Sequence, residues 1–184
     1  MFTRNLKFKG KLFAAILIAT GWIGPGIVGV APVQTAGACA FAPDERDPSV
    51  KILRCGDNLT VRAAHGARYR PVYARGLPLP TAVRLDSGAI LIEFHPSADQ
   101  DQFQILAPLA IAAVRGTKWA MEVTSARNST LVLSGMVAVT NRRLSQYVNL
   151  SDGEGVDITP NDSALVRKRW GEARVRALLS RFGE

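Results

Sequence analysis

From Phe103 to Thr159 apolar and polar side chains alternate in short runs, and nearly every run is closed by glycine. A period of two puts successive side chains on opposite faces of an extended backbone, so this region is restricted to short, half-buried strands joined by tight turns. Trp119, Met121 and Val123 share one face, while Lys118, Ala120 and Glu122 share the other, which is expected to face water. Leu131 and Leu133 run into Ser134-Gly135, and Val137 and Val139 resume beyond it. That spacing predicts a two-residue hairpin with glycine at positive φ. The same pattern recurs twice: Val148 and Leu150 stand before Asp152-Gly153, with Val156 and Ile158 after Gly155. Upstream, Val83 and Leu85 precede Asp86-Ser87-Gly88, and Ile90, Ile92 and Phe94 follow, which predicts another hairpin.

The alternation begins at Val50 and Ile52, expected on one side, and continues through Leu59, Val61 and Ala63 beyond Gly56-Asp57. Residues 65–80 hold Gly66, Pro71, Gly76, Pro78 and Pro80, and read as an irregular connection with a short strand near Val72 and Tyr73. The fold class is therefore mainly β. The strands could stack as a short solenoid-like roll whose coils share a core, or as a two-layer β-sandwich. The lack of a repeat at fixed period favours the sandwich. After Thr159 the pattern changes, and residues 161–184 form a loop followed by a helix, with LVRKRW as a last short strand or turn. Val175, Leu178, Leu179 and Phe182 fall on one helical face. Arg181 sits where the helix dipole favours a cation, and Gly183 where a C-cap belongs. The apolar stripe is expected to cover one end or edge of the β-structure; the alternative is that it docks on a partner.

Residues 1–38 have the layout of a secretory signal peptide. Arg4, Lys7, Lys9 and Lys11 precede an uncharged run from Leu12 to Val33, and Ala36-Gly37-Ala38 supplies small residues for cleavage. The uncharged run is also long enough to span a bilayer. However, Gly21, Gly24, Pro25, Gly26, Gly29 and Pro32 weaken its second half as a helix. Four of the 23 basic residues lie in this leader, so its removal lowers the formal charge from +8 to +4. The two cysteines, Cys39 and Cys55, suggest a disulfide that pins an arm over residues 39–58. Lipidation of Cys39, or a free thiol at Cys55 if cleavage falls after Ala40, are the competing readings. The arm, rich in proline and charge, has little reason to fold alone.

Ala107-Pro108-Leu109-Ala110, then Val114-Arg115-Gly116-Thr117-Lys118-Trp119, then VLSGMVAV and VNLSDGEGVDI, in this order and spacing, resemble the FecR domain of periplasmic signalling regulators. The resemblance runs from about Leu59 to Thr159, so the FecR-like β domain is expected over residues 59–160. It implies an all-β, solenoid-like module that transmits a signal by protein contact and carries no catalytic residues. Full-length regulators of that family carry a cytoplasmic anti-sigma domain ahead of their membrane segment. Here eleven residues precede the apolar run, so the chain is not expected to hold a sigma factor itself.

Little in the sequence points to catalysis. His65 and His95 lie on separate segments without metal-ligand spacing, and no HExxH, GxSxG, paired CxxC or phosphate-binding glycine loop occurs. Asp152, Glu154 and Asp157 read as turn formers, because calcium loops place several oxygens at regular intervals. Arg68, Arg70 and Arg75 interleave with Tyr69 and Tyr73, a composition seen on nucleic-acid surfaces; export argues for a solvated loop instead. The most distinctive run is Arg115, Gly116, Thr117, Lys118 and Trp119. It is either an exposed recognition corner or a bend in which Gly116 takes a conformation closed to other residues and Trp119 enters the core. The expected function is a non-enzymatic, periplasmic or secreted module, without metal or cofactor, that binds another envelope protein and no nucleic acid. The alternative is a structural envelope protein that binds a glycan or surface polymer.

Overall fold

The computed structural model describes residues 39–184, and the expected leader, with its cleavage or anchoring, lies outside the described residues. The described residues form thirteen strands: β1 (Cys39–Pro43), β2 (Lys51–Cys55), β3 (Leu59–Ala63), β4 (Arg68–Tyr73), β5 (Pro80–Phe94), β6 (Phe103–Leu106), β7 (Ala110–Val114), β8 (Thr117–Val123), β9 (Asn128–Ser134), β10 (Val137–Asn141), β11 (Gln146–Leu150), β12 (Glu154–Ile158) and β13 (Arg167–Arg169). Helix α1 (Glu172–Leu179) and a 3-10 turn (Ser180–Phe182) follow.

The strands make two layers joined through β5. Sheet A runs β1-β2-β3-β5-β8-β9-β12-β13, using residues 88–94 of β5. Sheet B runs β4-β5-β6-β7-β10-β11, using residues 80–87 of β5, and all its pairings are antiparallel except β5 with β6. Side chains from both layers interleave between them. Leu53, Val61, Ile92, Trp119, Met121 and Val132 come from sheet A, and Val83, Leu85, Phe103, Ile105, Val137 and Val139 from sheet B. This is the two-layer arrangement.

The order in which the chain visits the sheets corrects the expected hairpins. Each hairpin stays within one sheet, and the chain then crosses to the other: β6-β7 in B, β8-β9 in A, β10-β11 in B, β12-β13 in A. Ser134-Gly135 does not close a β9-β10 hairpin, because β9 pairs with β8 and β12 while β10 pairs with β7 and β11. Nor does Asp152-Gly153 close a β11-β12 hairpin; that corner also passes between sheets. Positive-φ glycines mark these corners: Gly66 between β3 and β4, Gly116 between β7 and β8, Gly135 and Gly153. The β2-β3 and β4-β5 turns carry positive-φ glycines as well, Gly56 and Gly76, whereas two other hairpins close on side-chain oxygens. Thr124 Oγ1 accepts the Arg127 backbone N–H at 3.1 Å, and Asn141 Oδ1 accepts those of Arg143 and Leu144 at 2.9 and 3.1 Å.

The third expected hairpin, at Asp86-Ser87-Gly88, is no turn at all. β5 continues through it, and a register shift against β4, where Arg68 faces Ser87 and Tyr69 faces Leu85, leaves Asp86 bulged out. Gly88 has φ +88°, and a Cβ there would lie 2.6 Å from Ala67 Cα. Only glycine allows both that backbone angle and that approach, and here the strand leaves one layer and enters the other.

Other expectations are extended or changed. The short strand expected near Val72 and Tyr73 is the edge strand β4, six residues long, and the N-terminal arm is a β1-β2 hairpin whose register places Cys39 opposite Cys55. In β2 it is Leu53 and Cys55 that enter the core, while Ile52 lies half-buried on the other face. Helix α1 covers the outer face of sheet A instead of an end or edge. Leu178 and Phe182 pack with Ala89, Leu91, Ala120 and Leu131 in a cluster separate from the main core, and Val175 and Leu179 flank it. The expected wet face of β8 is therefore dry at Ala120, which is fully buried.

Candidate functional site

The disulfide forms between Cys39 and Cys55. It ties β1 to β2 beside the core, with Cys55 fully buried.

The corner at residues 115–119 divides into an outer and an inner part. Arg115 is exposed, and its Nη2 lies 3.1 Å from Asp101 Oδ2. Gly116 turns the chain against Pro96 with φ +67°. Thr117 is buried under Gly135, and its Oγ1 has no hydrogen-bond partner. Trp119 lies wholly in the core, edge-on to Phe103 with ring centroids 6.4 Å apart, and its Nε1 is also without a partner. Lys118 points to the other face of sheet A, where Nζ donates to both carboxylate oxygens of Glu184 at 3.0 Å. Alternation along β8 therefore separates the five residues, and of the two cations Arg115 is the more exposed.

Lys118 belongs to a polar network that the sequence reading missed. Glu184 also accepts from Arg62 Nη1 at 2.9 Å, and Arg62 pairs with Asp44, whose side chain is 3% exposed. The Asp44 carboxyl is held below its ordinary value by the backbone N–H of Arg46 and then by Arg62. Arg181 pairs with Glu122 of β8. Arg174 donates to Asp157 at 2.9 Å and lies 3.4 Å above the Trp170 ring. Burial raises the Asp157 pKa, but hydrogen bonds from Arg174 and Ser129 outweigh it and leave the group below its usual range. These contacts join residues far apart in sequence and carry no local signature. They fasten the C-terminal segment to sheet A.

Among the described residues no helix covers the outer side of sheet B. The ladder aligns Leu106, Ile111, Thr140 and Tyr147 in one row and Gln104, Ala113, Ala138 and Asn149 in the next. All are half-buried or exposed. Arg70 and Arg84 stand opposite each other at the β4 end of the first row. The predicted basic and aromatic run is thus split by strand alternation: Arg68 and Arg70 are exposed, whereas Tyr69 packs against the main core and burial raises its hydroxyl pKa.

Among the described residues no group of three His, Cys, Asp or Glu side chains could hold a metal. His65 is exposed on the β3-β4 corner, and His95 lies 3.3 Å from Glu93 at the surface. No described helix is long and apolar enough to cross a membrane.

Residues 49–138 match the family model described as FecR protein. Two crystal structures of a candidate anti-sigma factor from Parabacteroides distasonis, at 2.50 and 1.65 Å, share the fold with TM-scores of 0.55 and 0.54 at 13% identity. The alignment covers 78% of this chain and 61% of theirs, so the likeness extends over less than two thirds of those proteins. No curated protein matches the chain. The match over residues 49–138 spans both layers of the sandwich, from β2 into β10, and assigns that stretch of the chain to the FecR domain.

Proposed function

We propose that this chain is a non-catalytic envelope module that acts by contact with another protein outside the cytoplasm. The FecR match and the fold shared with an anti-sigma factor structure support a signalling family. The observation that carries the contact reading is the asymmetry of the two layers. Sheet A is closed by α1 and its ion pairs, whereas sheet B presents the row Leu106, Ile111, Thr140 and Tyr147 half-buried or exposed, with Arg70 and Arg84 at its end. A rigid, partly apolar face with a polar rim is how protein-binding surfaces are built. Export is the natural companion of this reading, because a disulfide persists in oxidising compartments and residues 1–38 have the layout of a leader.

The test is photo-crosslinking to envelope extract from a photoreactive residue at position 111, with Tyr147→Glu, in the same row, as the competing variant and circular dichroism to verify its fold. A defined protein crosslinked by the chain with Tyr147 intact and lost in Tyr147→Glu supports the reading. Recovery of glycan or surface polymer, or of nothing, refutes it in favour of the structural alternative.

A further inference from the structure

We propose that the trough between β1 and β4 binds an extended acidic peptide segment of a partner protein, an inference that rests on the contact reading above. The trough is open and encloses about 790 Å³, within the range of about 300–1,000 Å³ of small-ligand sites. Its walls are the free edges of two strands, since among the described residues β1 pairs only with β2 and β4 only with β5. An unpaired edge offers backbone donors and acceptors to an extended chain. Pro71 lacks a donor, which concentrates any such pairing on Arg68 to Arg70.

The side chains specify what the occupant carries. Lys51, Arg68 and Arg70 line the trough against one carboxylate, Asp86. Among the described residues none of the three cations has an acidic partner; Arg68 donates only to Ser87 Oγ, at 2.9 Å. Arg70 also stands directly opposite Arg84 across the ladder, an arrangement of like charges that costs stability unless an anion bridges it. Phe41 lies on the same trough and is 65% exposed, although its strand is pinned by the disulfide. An occupant that alternates carboxylates with apolar side chains satisfies both features, with acids toward the arginines and apolar groups toward Phe41.

Segments of this chain do not meet that description. Residues 1–38 hold four basic residues and no acid. The acidic run Asp44-Glu45-Arg46-Asp47 is engaged at home, Asp44 by Arg62 and Asp47 by Ser49. The occupant therefore comes from another protein.

The experiment selects a displayed octapeptide library on the oxidised full chain and measures the winning peptides by fluorescence anisotropy. The expected winners carry Asp or Glu at positions two apart with apolar residues between them. Their affinity should fall at least tenfold on R68Q/R70Q and on the independent variant K51Q. It should stay within twofold on R176Q, an exposed helix position paired with Glu172. Circular dichroism checks that each variant is folded. Winners without acids, no enrichment, or equal affinity for R68Q/R70Q and wild type overturn the inference. The broader reading is separated by one comparison. If R68Q/R70Q crosslinks the same envelope protein from position 111 while no acidic peptide is selected, the trough is excluded and the contact reading stands; if even the wild type crosslinks no protein, the contact reading itself fails.

Discussion

Replacing Phe182 by alanine tests how the C-terminal segment is held and whether it belongs to the same cooperative unit as the sandwich. Phe182 is fully buried and Leu178 is 6% exposed. Both rest on a floor that includes Ala89 and Ala120, short side chains on paired strands, and Ala64 just beyond β3, whose N–H is bonded to the Ala89 carbonyl at 3.0 Å. Such a floor cannot rise into the space a phenyl ring leaves, so the loss falls in the usual range of about 3–5 kcal/mol for a buried phenylalanine. The cluster beneath α1 is distinct from the core between the sheets, so the penalty falls first on docking of the helix. An eight-residue helix does not persist alone in water, and its amides exchange once it undocks. At about 1.4 kcal/mol per decade, a loss of about 3 kcal/mol corresponds to roughly a hundredfold drop in protection. The assay is native-state hydrogen exchange read by mass spectrometry. Peptides over residues 172–179 should lose about two decades of protection while those over β6 and β7 change far less. A change below threefold in the helix would refute docking on sheet A, and an equal loss in β6 and β7 would refute the separation of cover from core.

Gly88→Ala should destabilise the protein by well over 2 kcal/mol, since a positive φ costs about 1–2 kcal/mol for an L-residue and the new Cβ meets Ala67 Cα at 2.6 Å. Gly76→Ala, with nothing within 4 Å of its Cβ, should show only the backbone cost, and urea titration of the pair separates clash from strain. Reducing the Cys39–Cys55 bond, which closes a separation of 16 residues, should lower stability by about 3 kcal/mol in the chain-entropy model, measured as the urea midpoint with and without reductant. Asp157 has a folded-state pKa below its ordinary 3.8, so its contribution is complete above that value and disappears as pH falls through the folded pKa. Asp157→Asn should accordingly flatten the acid limb of the thermal stability curve below pH 4, while leaving its shape at neutral pH unchanged.

The sequence by itself determined the local states. Alternation over residues 117–123 fixed an extended segment with Trp119, Met121 and Val123 inward, and the 3.6-residue spacing of Val175, Leu178, Leu179 and Phe182 fixed the terminal helix. Paired cysteines in one short arm suggested the disulfide, and the β1-β2 register that sets Cys39 opposite Cys55 closes it. These features depend on neighbours within a turn or a strand, and periodicity records such neighbours directly. Which strand pairs with which was decided only in three dimensions. A glycine at positive φ permits a tight reversal within one sheet and a corner between two sheets equally well, because the backbone angle is local while the destination is not. At Gly135 and Gly153 the choice fell to the layer whose apolar faces could close on each other, and at Gly88 to the approach of Ala67. The candidate surfaces depended on the same choice. Lys118 lost its exposure to Glu184, 66 residues away, and the trough exists because β1 and β4 ended on neighbouring free edges.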